Sequence, residues 1–239
     1  ALKPDGIDLN GGCAAPAIRR RAGGADLFED ADRLRDIVRV MRRCLPGPLT
    51  VKIRLGREGP DWRARLRERL RLLEDEGVDA VTLHPRFTEE KFKRVARHGL
   101  YSELAAETRL PIIANGDITD AEYCRQRATE LGPAAGYMIG RVAAARPWVF
   151  AQWHTPGLVI DHADVWRRLC AYIAEDFPPH KALMRIKIIA PYFARNFKFG
   201  HTFFTAVHSA PDLAAARDRS ARFLEAAPEL LHGIAVSGL

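Results

Sequence analysis

An α/β fold of the (β/α)-barrel type, followed by an all-helical segment, is what this sequence predicts, and three observations predict it. Short β-branched runs alternate with amphipathic helical runs over residues 7–150, the pattern of a parallel sheet with helices outside it. The polar residues that could do chemistry fall at or near the C-terminal ends of those runs, as the active face of such a barrel requires. Beyond Gly157 the alternation stops and only helical periodicity remains. A boundary is therefore expected near 155–161, between a barrel domain at 1–155 and a helical domain at 156–239.

The first strand, 7–10, ends in Gly11 and Gly12, which let the backbone turn sharply beneath Cys13. A cysteine just past a strand end is placed for chemistry, and Arg19, Arg20 and Arg21 surround the loop behind it with positive charge. Read alone, Cys13 is equally a small apolar residue buried in a turn. Asp30 or Asp32 caps a helix running through Cys44, with Leu34, Ile37, Val38 and Met41 at helical spacing, and Pro46 and Pro48 stop it. The run LTVKIRL at 49–55 is a β-branched strand with Lys52 in its middle. A helix at 61–76 sets Leu66, Leu70 and Leu73 on one stripe, and Arg63, Arg67 and Arg71 read as its solvated face.

The third strand, 78–86, ends in His84 and Arg86. The fourth, 111–118, stops at Asn115, Gly116 and Asp117, and a helix at 121–131 leads to the fifth, 136–141, which ends in Gly140 and Arg141. Backbone N–H groups in these last two turns suit an anion such as phosphate, although either turn alone is ordinary turn glycine. In the helical segment, Asp161 or Asp164 starts a helix to Asp176, and Pro178 and Pro179 break it. Over 180–199, Leu183, Ile186, Ile189, Ala190, Phe193 and Phe197 fall on one side of a helical wheel, with Lys181, Arg185, Lys187, Arg195 and Lys198 on most of the other. Pro191 is expected to kink this helix, a last helix covers 212–226, and Tyr192, Phe193, Phe197, Phe199, Phe203 and Phe204 read as core.

The 239 residues are 47% hydrophobic and 28% charged, which excludes a disordered chain. No apolar run approaches the ~20 residues that cross a bilayer, and the start ALKPDG lacks the grammar of a signal peptide, so a cytoplasmic protein without a membrane partner is expected. Cys13, Cys44, Cys124 and Cys170 have no short paired spacing, which argues against a zinc cluster or a disulfide framework; no metal is expected. A formal charge of +7 and a pI near 9.5 favour a polyanionic partner.

The stretch at 7–27, IDLNGGCAAPAIRRRAGGADL, resembles the signature of the tRNA-dihydrouridine synthases, flavin enzymes that reduce a uridine in tRNA. Leu9, Asn10, Gly12 and Cys13 match the family's Leu-Asn-any-Gly-Cys-Pro, and Gly24 and Leu27 fall at its later positions. Ala14 stands where proline is usual, and Ala22 where the first glycine of the later segment is usual. Residues 50–54 resemble the strand whose lysine, here Lys52, contacts the flavin. His84 and Arg86 resemble the His-Gly-Arg-Thr segment, with Pro85 and Phe87 replacing the glycine and threonine, and Phe92 and Ala96 fall on its aromatic and alanine positions. Asn115-Gly116-Asp117-Ile118 and Met138-Ile139-Gly140-Arg141 resemble two phosphate-holding strand ends, and Pro147, Trp148 and Phe150 the segment that follows. More loosely, Arg185-Ile186-Lys187 resembles part of the family's helical tRNA-holding domain.

The resemblance implies a TIM-type barrel, of which five of the family's eight strands are found, the first three being absent. The chain opens on Ala1 and enters its first strand almost at once. It is expected to be either a fragment or a reduced form, monomeric unless a partner fills the open edge. The resemblance further implies FMN as cofactor, NADPH as a transient reductant without a Gly-x-Gly-x-x-Gly fingerprint of its own, and tRNA as partner and substrate. Cys13 is implied as general acid. Asn10, Arg86, Arg185 and Lys187 are implied as substrate contacts, and Lys52, His84, Asn115, Gly116, Asp117, Gly140 and Arg141 as cofactor contacts. Two alternatives stay open: an FMN-dependent barrel reductase acting on a small molecule, and a non-catalytic tRNA-binding relative.

Overall fold

Runs rich in Val, Ile and Leu pair into one five-stranded sheet: β1 (Ile7–Gly11), β2 (Leu49–Arg54), β3 (Ala80–His84), β4 (Ile112–Asn115) and β5 (Gly136–Met138). The computed structural model describes residues 4–231 and 233. The chain divides into two compact units, Ala1–Ile139, which holds the sheet, and Gly140–Leu239, which is helical. The expected boundary at 155–161 lies inside the second of these.

All four strand pairings are parallel, and the spatial order β1-β2-β3-β4-β5 is the chain order. A doubly wound sheet reverses its order at a switch point; sequential parallel strands are the arrangement of a (β/α) barrel. Among the described residues β1 pairs with β2 alone and β5 with β4 alone, so the ring is open, with five strands as expected.

Between β1 and β2 lie α1 (Pro16–Arg19), α2 (Ala25–Glu29) and α3 (Ala31–Cys44); α4 (Trp62–Asp75) precedes β3, and α5 (Leu100–Ala105) precedes β4. Asp30 caps α3 by accepting from Arg33 N at 3.0 Å, which fixes one of the two expected capping residues. Strand alternation decides what is buried. Leu49, Val51 and Ile53 of β2 are fully buried, as are Leu34 and Val38 of α3 and Leu66 and Leu73 of α4, while Thr50 and Lys52 are only half-buried. The arginines of α4 are not a bare solvated face. Arg67 bonds Glu103 and Glu107, and buried Arg69 donates to the carbonyls of Phe28 (2.8 Å) and Glu29 (2.9 Å), satisfying the end of α2. The helix expected at 121–131 is broken at Arg127 into α6 (Ala121–Gln126) and α7 (Ala128–Leu131).

The second unit contains α8 (Arg141–Ala145), α9 (Val149–His154), α10 (His162–Asp176), α11 (Pro179–Phe193), a 3₁₀ turn at Ala194–Asn196, α12 (Gly200–His208) and α13 (Leu213–Glu225). Its core is aromatic: Trp166 lies 4.9 Å from both Phe193 and Phe203, ring centre to ring centre, and Trp148 and Phe197 complete the cluster. The single helix expected over 180–199 is corrected. Pro191 stands in the last turn of α11, where its ring removes a donor, and the helix ends two residues later. The chain then turns so tightly that a Cβ on Gly200 would lie 1.9 Å from the Ala194 carbonyl oxygen, and α12 begins there. Phe199, expected in the core, is 59% exposed. Among the described residues no helix is long and apolar enough to cross a membrane.

Candidate active site

The parallel register lays one row of side chains across the sheet: Asn10 opposite Lys52, Lys52 opposite Thr82, and Thr82 opposite Ile113. Beyond β1 the chain turns on Gly11 and Gly12, and the Asn10 side chain fixes that turn. Its Oδ1 accepts from Gly12 N (3.2 Å) and Cys13 N (3.1 Å), while its Nδ2 makes no hydrogen bond to the described residues. Gly24, at φ +58°, closes the loop from the other side. Ala25 N donates to the Cys13 carbonyl at 2.9 Å, and a Cβ on Gly24 would lie 2.4 Å from that same oxygen. Arg19 is paired with Asp26 at 2.9 Å, which draws the Asp26 carboxyl below its usual range through that hydrogen bond.

Cys13 is half-buried at the C-terminal end of the sheet. Cys124 and Cys170 are buried, and burial pushes their thiols up to about 11 and about 12. Cys44 is exposed but ends the helix that leads into β2, at the opposite end of the strands. Lys52 is lowered to about 8, chiefly by burial and then by the Arg54 charge, with Asp8 and Cys13 opposing. It makes no hydrogen bond to the described residues, so a cation is held half-desolvated beside Asn10 without a fixed partner.

A second cluster forms at the ends of β3 and β4. Arg86, 2% exposed, places Nη1 2.8 Å from His84 Nε2 and directs Nη2 to both Asp117 oxygens at 2.7 and 2.6 Å; its Nε donates to the Arg94 carbonyl. Asp117 also accepts from Ala96 N at 2.8 Å. Gly116 sits at φ +109°, and a Cβ there would lie 2.7 Å from His84 Cδ2, so only glycine leaves room for the ring. The strand ends are knitted together by Tyr101, whose hydroxyl accepts from Asn115 N (3.0 Å) and lies 2.9 Å from the Leu83 carbonyl, and by Asn115 Nδ2, which donates to the Met138 carbonyl at 2.8 Å. His98 Nε2 lies 2.9 Å from the Gly116 carbonyl and donates to it; burial lowers its pKa. The long β3–α5 loop is braced by Glu90, which is 7% exposed, accepts from Phe87 N at 2.8 Å and pairs with Arg97 at 2.5 Å.

Arg54 joins the two clusters, and sequence reasoning did not single it out. Its Nε donates to the Gly12 carbonyl (3.1 Å), its Nη1 to the Lys91 carbonyl (2.9 Å), and its guanidinium lies 5.3 Å from the centre of the Phe92 ring, which stacks on His84. The signal was present, since Arg54 follows Lys52 by two residues and so shares its face of the strand. Asn10, Cys13, Lys52, His84, Arg86, Asn115, Gly116 and Asp117 thus all lie in the first unit, at or beyond the strand ends except for mid-strand Lys52. Gly140 and Arg141 begin the second unit and open α8, ahead of which β5 stops short of its expected end. Arg185 and Lys187 are on α11: the exposed Arg185 guanidinium covers the Phe177 ring at 4.0 Å, and Lys187 Nζ donates to the Ala210 carbonyl at 2.8 Å.

The Dihydrouridine synthase (Dus) family profile matches residues 1–189. The chain is similar to tRNA-dihydrouridine synthase B of Klebsiella pneumoniae and of Escherichia coli (strain K12), 34% identical to each over 177 residues, 71% of this chain and 54% of each relative. It is 36% identical to that of Pectobacterium carotovorum over 146 residues, 61% of this chain and 44% of the relative. The chain spans about half the length of the curated relatives it matches. An open run of sequential parallel strands, polar side chains gathered beyond their C-terminal ends, and a profile match over most of the sequence lead to one conclusion: the chain belongs to the dihydrouridine synthase family.

Proposed function

We propose that this chain reduces the C5=C6 bond of a uridine in tRNA to give 5,6-dihydrouridine, with FMN as cofactor and NADPH as its reductant. The observation that carries the reading is Lys52, a half-desolvated cation on the open row of the sheet, two strand positions from the Cys13 turn and lacking a hydrogen-bond partner among the described residues. A cation held in this way suits the electron-rich pyrimidine end of a flavin, and the donor set around it fits that group. When bound and reduced, FMN would supply the hydride that C6 of the base receives.

The chain's own residues supply the rest. Lys52 binds the pyrimidine end through its charge, and His84 through a hydrogen bond. The Asn115–Asp117 turn is the proposed phosphate contact of the first unit, and Gly140 and Arg141 are assigned to the phosphate by the likeness of their motif. Cys13 holds a proton on Sγ and would deliver it to C5 of the base as general acid. Asn10, with its oxygen spent on the Cys13 turn, offers Nδ2 to the edge of a uracil that has left its stack. Arg185 and Lys187 are the proposed tRNA contacts of the helical unit, and the working compartment is the cytoplasm.

The deciding experiment is the visible absorption spectrum of the purified chain reconstituted with FMN, before and after NADPH. Flavin bands that bleach, followed by dihydrouridine formation in tRNA, are expected. A chain that takes up no FMN sinks the reading in favour of a tRNA-binding relative without redox chemistry.

A further inference from the structure

His84 is 4% exposed and meets three constraints at once. Arg86 Nη1 lies 2.8 Å from its Nε2. A guanidinium donates and does not accept, so Nε2 is the accepting nitrogen and the ring proton sits on Nδ1. A proton on Nε2 would set N–H against N–H at that distance. Arg86 cannot swing away to relieve this. Its Nη2 is held by both oxygens of Asp117, at 2.7 and 2.6 Å, and its Nε by the Arg94 carbonyl. Asp117 is itself fixed by Ala96 N at 2.8 Å, in a turn at φ +55°. The ring's Cδ2–Nε2 edge lies where a Cβ on Gly116 would stand, 2.7 and 2.9 Å away, so glycine at this position is what lets Nε2 reach Arg86.

We propose that Arg86 and Asp117 are positioning residues that fix His84 as the neutral Nδ1–H tautomer, so that His84 presents a hydrogen-bond donor without a charge. The functional meaning rests on the flavin reading given above. Arg54 and Arg86 already bring two permanent cations to these strand ends, and Lys52 brings one that can titrate. A neutral donor at His84 recognises a flavin carbonyl oxygen or ring nitrogen without adding a further desolvated charge. Arg86 then acts through His84 and its salt bridge.

The test is made on the flavin-free chain labelled with ¹⁵N-histidine. Long-range ¹H–¹⁵N correlation spectra at pH 7.5 distinguish Nδ1–H, Nε2–H and cationic rings, and His84 is identified by the signal lost in His84→Gln. The wild type is expected to show Nδ1–H at His84. Arg86→Lys, which still offers a donor to Nε2, should retain that pattern, and Arg86→Met should lose it. A merely structural role for Arg86 would move both variants alike. An Nε2–H or cationic His84 in the wild type overturns the proposal, as does an unchanged pattern in Arg86→Met or its equal loss in Arg86→Lys. The wild-type spectrum decides even where a variant fails to fold. Because no flavin is present, a chain that does not bind FMN leaves this result readable, and an unexpected tautomer leaves the flavin question open to its own titration.

Discussion

Lys52 is the residue at which stability and the proposed function pull apart. Burial lowers its pKa from 10.5 to about 8, so below that pH folding takes a charge partly out of water. Between about pH 8 and 10.5 the unfolded chain keeps this proton and the folded chain releases it. The Lys52 contribution to stability should therefore rise with pH across that window, opposed above about pH 9 by the buried Cys124 and Cys170 thiols, which the unfolded chain ionises first; below the window the Lys52 penalty is constant. At about 1.36 kcal/mol per unit the penalty is at most about 3 kcal/mol, which Lys52→Met removes. The variant should unfold at higher urea than wild type at pH 7, keep less of that advantage at pH 10, and bind FMN more weakly; urea titrations of both proteins at pH 7 and 10 beside an FMN fluorescence titration check all three. An advantage as large at pH 10 as at pH 7 would assign it to packing and not to the Lys52 charge. Cys13 gives the complementary prediction: Cys13→Ala should abolish uridine reduction with FMN still bound, whereas Cys44→Ala, at the other end of the strands, should leave turnover intact. Undiminished activity in Cys13→Ala would remove the thiol from the mechanism.

At the scale of elements, the loop after β1 shows what a departure from the family pattern does to the backbone. Ala22, where the family usually has glycine, stands at φ +50°. An L-residue there costs about 1–2 kcal/mol, and glycine returns part of the gain as unfolded-state entropy, about 0.4–1 kcal/mol. Ala22→Gly should therefore stabilise the chain by roughly 0.5 kcal/mol, read from the urea midpoint; Gly24→Ala should destabilise it, since its Cβ would collide with the Cys13 carbonyl. A neutral or harmful Ala22→Gly would show that the loop is not strained at this position. The strands themselves were legible in the sequence because β-branched runs and terminal glycines are local signals. The scaffolding of the site was not. Tyr101 reaches 14 residues forward to Asn115 and 18 back to Leu83, and Arg54 reaches 42 to Gly12 and 37 to Lys91, contacts that leave no periodic trace. The helix α12 was missed for a different reason: its sequence, GHTFFTAVH, combines an opening glycine with β-branched and aromatic residues, and tertiary packing of Phe203 and Val207 overrides those propensities.

For the molecule as a whole, the proposed reduction of a tRNA uridine stands against the alternative of a small-molecule substrate, and the helical unit discriminates between the two. Truncating the chain near residue 161 would be a blunt test, because Trp148 belongs to the same aromatic cluster as Trp166, Phe193 and Phe203 and would be left stripped of its partners. Charge reversal on the exposed face of α11 is sharper. Lys181 and Arg185 are exposed, whereas Ala182, Ile186, Ala190 and Phe193 carry the packing, so Lys181→Glu with Arg185→Glu should shift stability by no more than about 1 kcal/mol, given about 0.5 kcal/mol per surface substitution. If both cations meet phosphates, each contributes about one unit to the slope of log affinity against log salt. The double variant should bind tRNA at least about ten-fold more weakly in 0.15 M salt and show a slope shallower by roughly two. FMN reduction by NADPH should be unchanged, because that step needs no RNA. A small-molecule reductase makes the opposite prediction, with turnover on its substrate and any weak RNA binding indifferent to the two substitutions. Tight tRNA binding that kept its full salt slope in the variant would move the RNA contact off α11 altogether, leaving Arg185 to its stack on Phe177 and Lys187 to its bond with Ala210.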